Sequence, residues 1–226
     1  PVVDGAILPR HPFEPEAPAI SKTKPLIVGT NRDEATFFFM QGRDTEVYDL
    51  SEDGLKARLA KEFGGDAGKV HEAYHKSRPE ASPTDLYIAI ATARMMGVGT
   101  NLIAERKYAQ RGAPVYKYVF THESDYLIPG TNYRFRAGHA LEIPYKFNNS
   151  QGGGGFQAFT KPESVKAARN MSEMWSTFAR TGRPAAKGQP QWPAWTPAKR
   201  ATMMLDAECK VVNDPWPLER QLWEQL

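Results

Sequence analysis

The sequence predicts an α/β fold, and three stretches carry that expectation. "PLIVGT" at 25–30 is a short apolar run closed by glycine, the pattern of a strand buried in a parallel sheet. "APVYKYVF" at 113–120 alternates and is rich in β-branched and aromatic residues, so it reads as a second strand. Between and after them lie segments with helical spacing, and strands alternating with helices imply a layered α/β architecture.

Taken in order, residues 1–24 are proline-rich, with "LPRHPFEPEAP" in the middle, and read as an irregular connector. After the first strand, "LSEDGLKARLAKEF" offers Ser51 as N-cap, with Leu55, Leu59 and Phe63 at helical spacing and Gly64-Gly65 as a stop. Residues 84–111 read as one long helix with a glycine-bearing middle, "MMGVGT". The most distinct helix starts near 162. Thr160 and Glu163 form a capping box, Val165, Ala168, Met171, Trp175 and Phe178 make one apolar face, and Gly182 and Pro184 end it. "ATMMLD" at 201–206 reads as a late strand and "WPLERQLWEQL" as a closing helix. "SQGGGGFQ" at 150–157 lacks the lysine and serine of a phosphate-binding loop and reads as a flexible connection. Only about three strands are evident, too few for a sheet covered on both faces. The chain is therefore expected to be part of a larger fold.

Composition excludes several functions. The 226 residues carry a net charge of +3 with no basic block, which does not favour nucleic acid. No run of eighteen apolar residues occurs, so no membrane span is expected. The N-terminal "PVVDGAILPR" has neither the basic nor the apolar region of a signal peptide, and localisation stays open. The single cysteine, Cys209, excludes an internal disulfide and reads as a structural thiol. His71 and His75 are spaced i, i+4 and could hold a metal. "HEAYH" has the His-Glu-x-x-His order, but nothing near it in sequence supplies a third ligand, so no metal is expected.

Two titratable residues stand out. Glu34 follows the first strand in "GTNRDEATFFF", and loops at the carboxyl ends of parallel strands are where such folds place chemistry. His139 lies in "RFRAGHALEIPYKF", a loop after the second strand. By residue type alone a surface carboxylate and a core histidine remain open alternatives.

Several segments in order are similar to the type-B carboxylesterases, the α/β-hydrolase family of para-nitrobenzyl esterases and cholinesterases. "PVVDGAILPRHPFE", "PLIVGTNRDEATFF", "AGHALEIPYKFNN", "MSEMWSTFARTGRP", "QWPAWTPAKRATMMLD" and "VVNDPWPLERQLWE" resemble successive pieces of that family's C-terminal part. The third is more similar to bacterial than to animal members. The resemblance implies residues 1–226 as the C-terminal portion of one α/β-hydrolase domain, a mostly parallel sheet flanked by helices and completed by an N-terminal segment. It implies carboxylic ester hydrolysis, with Glu34 as the triad acid, His139 as the triad histidine and Glu142 as a buried support for the histidine loop.

The chemistry accounts for these residue types. An imidazole takes the proton of a serine hydroxyl, and an acid behind it fixes the tautomer. In this fold the chain order is Ser, acid, His, which Glu34 and His139 obey. No serine here sits in G-x-S-x-G and no HGGG segment precedes the pair, so nucleophile and oxyanion hole are expected from the N-terminal segment. Phe37, Phe38, Tyr126 and Leu127 are candidates to line an apolar pocket for a small apolar ester. No cofactor is implied. A non-catalytic binding or adhesion member of the fold, or an amide or carbamate hydrolase on the same site, are the alternatives; retention of both Glu34 and His139 favours the enzyme.

Overall fold

The computed structural model describes residues 2–149 and 154–226. A four-stranded sheet organises it. The strands are β1 (Leu26–Asn31), β2 (Val115–Phe120), β5 (Ala201–Leu205) and β6 (Lys210–Asn213), in the spatial order β1-β2-β5-β6. β1 pairs with β2 and β2 with β5 in parallel; β6 closes one side antiparallel. β1 has no strand partner on its outer edge among the described residues, and most of it is only half-buried. A separate antiparallel hairpin joins β3 (Ser124–Leu127) to β4 (Arg134–Arg136).

The alternation in β2 sorts the layers. Val115 and Lys117 face α5 (Val98–Ala109): Val115 clusters with Ala104, and Lys117 Nζ donates to Asn101. Tyr116 and Tyr118 face α7 (Pro162–Thr181), meeting Phe178 and Trp175 edge-on at 6.1 and 5.2 Å between centroids. Phe120 packs on Tyr145 of α6 (Ile143–Lys146). Side chains two apart share a face of a strand, so one strand serves both layers. Gly29 of β1 lies against β2 where a Cβ would come within 2.3 Å of the Tyr118 carbonyl oxygen, so only glycine fits.

The remaining helices are α1 (Ala35–Gly42), α2 (Glu52–Phe63), α3 (Ala67–Ser77), α4 (Pro83–Thr92) and α8 (Pro217–Trp223). Ser51 caps α2, its hydroxyl accepting from the Gly54 N–H at 3.1 Å, and Leu55 and Leu59 are fully buried. Ser82 and Asp85 form a capping box on α4. α4 runs through a π turn at Ala93–Gly97 into α5, one continuous helical stretch as the sequence predicts.

That stretch, Pro83–Ala109, bears on the expectation of no membrane span by length and composition alone. At 27 residues and a mean hydropathy of 1.3 over its most apolar window, it is long and apolar enough to cross a membrane. Leucine, isoleucine, valine, methionine and alanine raise the window average, while interspersed threonine and glycine and Arg94 keep it from being an unbroken apolar run. In the fold Leu86, Ile88 and Ile90 are buried in the main core.

Helix α7 also starts differently from the expectation. Pro162 takes its first position, which makes Lys161 the N-cap and moves Glu163 out of reach of a capping box with Thr160. Its buried face is Ala167, Ala168, Met171 and Met174, with Trp175 and Phe178 packed beside it; Val165 is 47% exposed. Burying Met171 and Met174 stabilises the layer by roughly 1.5–3 kcal/mol each. Residues 1–24 contain one short 3₁₀ turn, Ala19–Ser21, and no strand among the described residues. Of the predicted glycine loop, residues 150–153 lie outside the described residues, and Gly155–Gln157 form a 3₁₀ turn.

Candidate active site

Glu34 stands where β1 gives way to α1, and His139 between β4 and α6. Although 105 positions apart, they meet: His139 Nδ1 donates to Glu34 Oε2 at 2.7 Å. The other Glu34 oxygen accepts from the Asn31 N–H, also at 2.7 Å. Glu34 is 5% exposed, whereas 37% of the His139 side chain is exposed. His139 Nε2 has no hydrogen-bond partner among the described residues. Burial pushes the Glu34 carboxyl above its usual range. The Asn31 amide and the His139 ring oppose that rise, and the nearby Glu142 charge adds to it.

The two loops are stitched together by more than this pair. Asp33 N–H donates to the Ala137 carbonyl at 3.0 Å, and Ala137 N–H returns a bond to Asp33 Oδ2 at 3.1 Å. Asn31, 1% exposed, donates through Nδ2 to the Gly138 carbonyl at 2.8 Å and to Glu142 Oε2 at 2.6 Å. Lys146 Nζ donates to the other Glu142 oxygen at 3.0 Å. Arg32 holds Asp33 through Nε and Nη2 and reaches Glu123 as well. Gly138 is tight against Phe135, whose ring lies 2.5 Å from where a Cβ would stand. Arg136 and Ala140 both adopt positive φ, at 52° and 66°, so the histidine segment is a bent, over-determined loop.

An aromatic wall flanks the imidazole. Phe38 and Phe37 lie 4.8 and 5.6 Å from its centroid. Phe37 meets Phe156 at 5.7 Å, and Phe156 meets Tyr126 at 6.4 Å. Three of the four pocket candidates therefore belong to one cluster. Leu127 does not join it by any ring contact; it lies opposite Arg134 on the hairpin and is 55% exposed. Phe156 escaped sequence reasoning because it follows a glycine run with no periodicity.

A second histidine constellation was also missed. His122 Nδ1 donates to Asp206 Oδ1 at 2.7 Å, and Ser164 Oγ donates to His122 Nε2 at 3.0 Å. The residue types are those of a hydrolytic triad. Ser164 is only 2% exposed and His122 5%, so the hydroxyl has no free approach for a carbonyl carbon. The trio ties the ends of β2 and β5 to the first turn of α7. Cys209 is a buried thiol, its Sγ donating to the Asp206 carbonyl at 3.3 Å, and burial pushes its pKa up, away from the reactive thiolate.

With the fold and this geometry in place, comparison with known proteins is decisive. The profile of the carboxylesterase family matches residues 1–223. The chain belongs to the carboxylesterase family. Para-nitrobenzyl esterase of Bacillus subtilis is 31% identical over 230 residues, covering 98% of the chain and 42% of the relative. Human cocaine esterase is likewise 31% identical, over 85% of the chain and 35% of the relative. Among solved structures, a carboxylesterase of Geobacillus stearothermophilus superposes with a TM-score of 0.77 at 30% identity, covering 99% of the chain and 45% of that protein. The chain thus spans less than half the length of the carboxylesterases it matches. Its mixed, mostly parallel sheet with flanking helices is part of their α/β-hydrolase fold. Bacterial and mammalian relatives match at equal identity, so these figures do not separate the two groups.

Proposed function

We propose that the intact protein hydrolyses carboxylic esters through an acyl-serine intermediate, with Glu34 and His139 as two members of its triad. The observation that carries this reading is the 2.7 Å bond from His139 Nδ1 to a buried carboxylate, with Nε2 partnerless among the described residues on a side chain that is 37% exposed. A carboxylate on Nδ1 fixes the tautomer whose Nε2 accepts a proton. The nucleophilic serine and oxyanion hole come from a segment outside these residues, and the unpartnered edge of β1 is where a further strand would dock beside Glu34.

In the reaction, Nε2 of His139 takes the serine proton as Oγ attacks the carbonyl carbon. The imidazolium, stabilised by Glu34, then protonates the leaving alkoxide. Water repeats the sequence to release the acid and free the serine. Glu142, pinned by Asn31 and Lys146, holds the histidine loop in place. Phe37, Phe38 and Tyr126 offer an apolar wall for an acyl or alcohol group, which fits a small apolar ester. The reaction as drawn needs no metal or nucleotide. The relatives' names, among them esterases and hydrolases of several substrates, support catalysis over a purely adhesive role.

The test is turnover of a 4-nitrophenyl ester by the intact protein. His139→Ala is expected to lower kcat by at least about 10³-fold, and Glu34→Gln by a comparable or smaller factor. The double variant should be no worse than the worse single one, since the groups act as a unit. An active His139→Ala protein, or additive losses, would overturn the assignment.

A further inference from the structure

The sequence leaves His71 and His75 without a third ligand. The fold supplies one. Glu52 opens α2, and the α2–α3 hairpin brings it over the face of α3 that carries both imidazoles. His71 Nε2 is hydrogen-bonded to Glu52 Oε1, and His75 Nε2 lies 3.3 Å from the same oxygen. The two rings are 4.4 Å apart between centroids, as i, i+4 spacing on one helix face allows. One donor atom from each of the three residues falls within 4.8 Å of the others.

We propose that Glu52, His71 and His75 form a surface site for a divalent transition ion of the Zn²⁺ class, clamping α2 to α3. Two imidazoles and one carboxylate suit a borderline ion such as Zn²⁺, and three protein ligands leave a fourth position for water. A tetrahedral ion with ligands at about 2.0–2.1 Å separates its donor atoms by about 3.4 Å, and the His75–Glu52 edge already has that length. The state of His75 points the same way. Its Nε2 atom is buried, faces the carboxylate and makes no hydrogen bond, an unsatisfied position that a metal bond would fill. Lys56 Nζ, 3.8 Å from Glu52 Oε1, is the competing cation, but its side chain is 57% exposed and free to swing away.

The experiment uses the intact, untagged protein after chelator treatment. Calorimetric titration with Zn²⁺ is expected to show one ion bound at this site per chain, and Co²⁺ substitution to give the visible absorption of a tetrahedral centre. Zn²⁺ should also raise Tm. His71→Ala/His75→Ala should abolish all three signals, and Glu52→Gln should weaken binding by at least about tenfold. Ester turnover near the parental rate in either variant shows that it is folded, because none of the three residues touches the Glu34–His139 pair. Absence of binding to the parent, or equal affinity in the parent and in either folded variant, overturns the site.

Discussion

Replacing Asn31 by alanine removes two hydrogen bonds at the centre of the site without touching Glu34 or His139. The side chain is 1% exposed and donates to the Gly138 carbonyl at 2.8 Å and to the Glu142 carboxylate at 2.6 Å. A bond to a neutral carbonyl contributes about 0.5–1.5 kcal/mol and one to a charged group about 1.5–3 kcal/mol, and neither acceptor gains water easily in this buried corner. Asn31→Ala is therefore expected to cost about 2–4 kcal/mol. The backbone N–H of Asn31 still serves Glu34, so the acid stays in place. What loosens is the peptide immediately before His139. A displacement of about 1 Å at a reacting group lowers turnover by as much as about 10²-fold, and a fall in kcat of about 10- to 100-fold is expected, with KM little changed. Urea denaturation of the intact protein, with m unchanged, reads the first quantity, and 4-nitrophenyl ester kinetics read the second. A variant that loses under about 1 kcal/mol and keeps the parental kcat would falsify the view that Asn31 braces the histidine loop.

Three further outcomes follow from particular contacts. Burial holds the Lys117 ammonium down at about 8, from 10.5, so between those pH values the unfolded chain binds more protons and stability climbs as pH rises. Lys117→Met should be more stable than the parent at pH 7 by up to about 3 kcal/mol, and the gain should shrink by pH 10; a gain independent of pH refutes this. Arg78 grips Glu219 of α8 with two bonds, at 2.7 and 3.0 Å, and Glu219 is 6% exposed, so Glu219→Ala should destabilise by about 3–5 kcal/mol in urea. Ser164→Ala removes the hydroxyl on His122 and should leave ester turnover within about twofold while costing about 1 kcal/mol; a collapse of kcat would move the chemistry to the wrong histidine.

Local signals were legible in the sequence where the cause is itself local. Ser51 caps α2 because the bond it makes reaches only three residues. The same logic misled at Thr160, since Pro162 fixes where α7 begins and shifts every cap position by one. The β3–β4 hairpin, three or four residues per strand, was too short to show a period. Glu34 and His139 were singled out as triad candidates through motif likeness; spacing alone left each with a bland alternative. Their braces were harder to see. Asn31 is an ordinary strand-end residue until the fold brings Gly138 and Glu142 against it. Glu52 became visible as a partner of His71 and His75 only when α2 folded back on α3, because hairpin packing joins faces whose residues are not periodic with one another.

The stitching of 31–34 to 137–142 has a consequence for how such a protein diversifies. Five hydrogen bonds cross between those two short segments, whereas Phe37 and Phe38 meet the imidazole only through ring packing, with Phe156 and Tyr126 packed behind them. Ring packing tolerates exchange among large apolar side chains far better than a buried polar network tolerates loss of one member. A mutational library confined to the aromatic wall should yield many folded variants with shifted substrate preference. One spread over the stitched segments should yield mostly inactive chains, with survivors changed in pairs. The molecule thus separates what must be inherited together from what can drift alone.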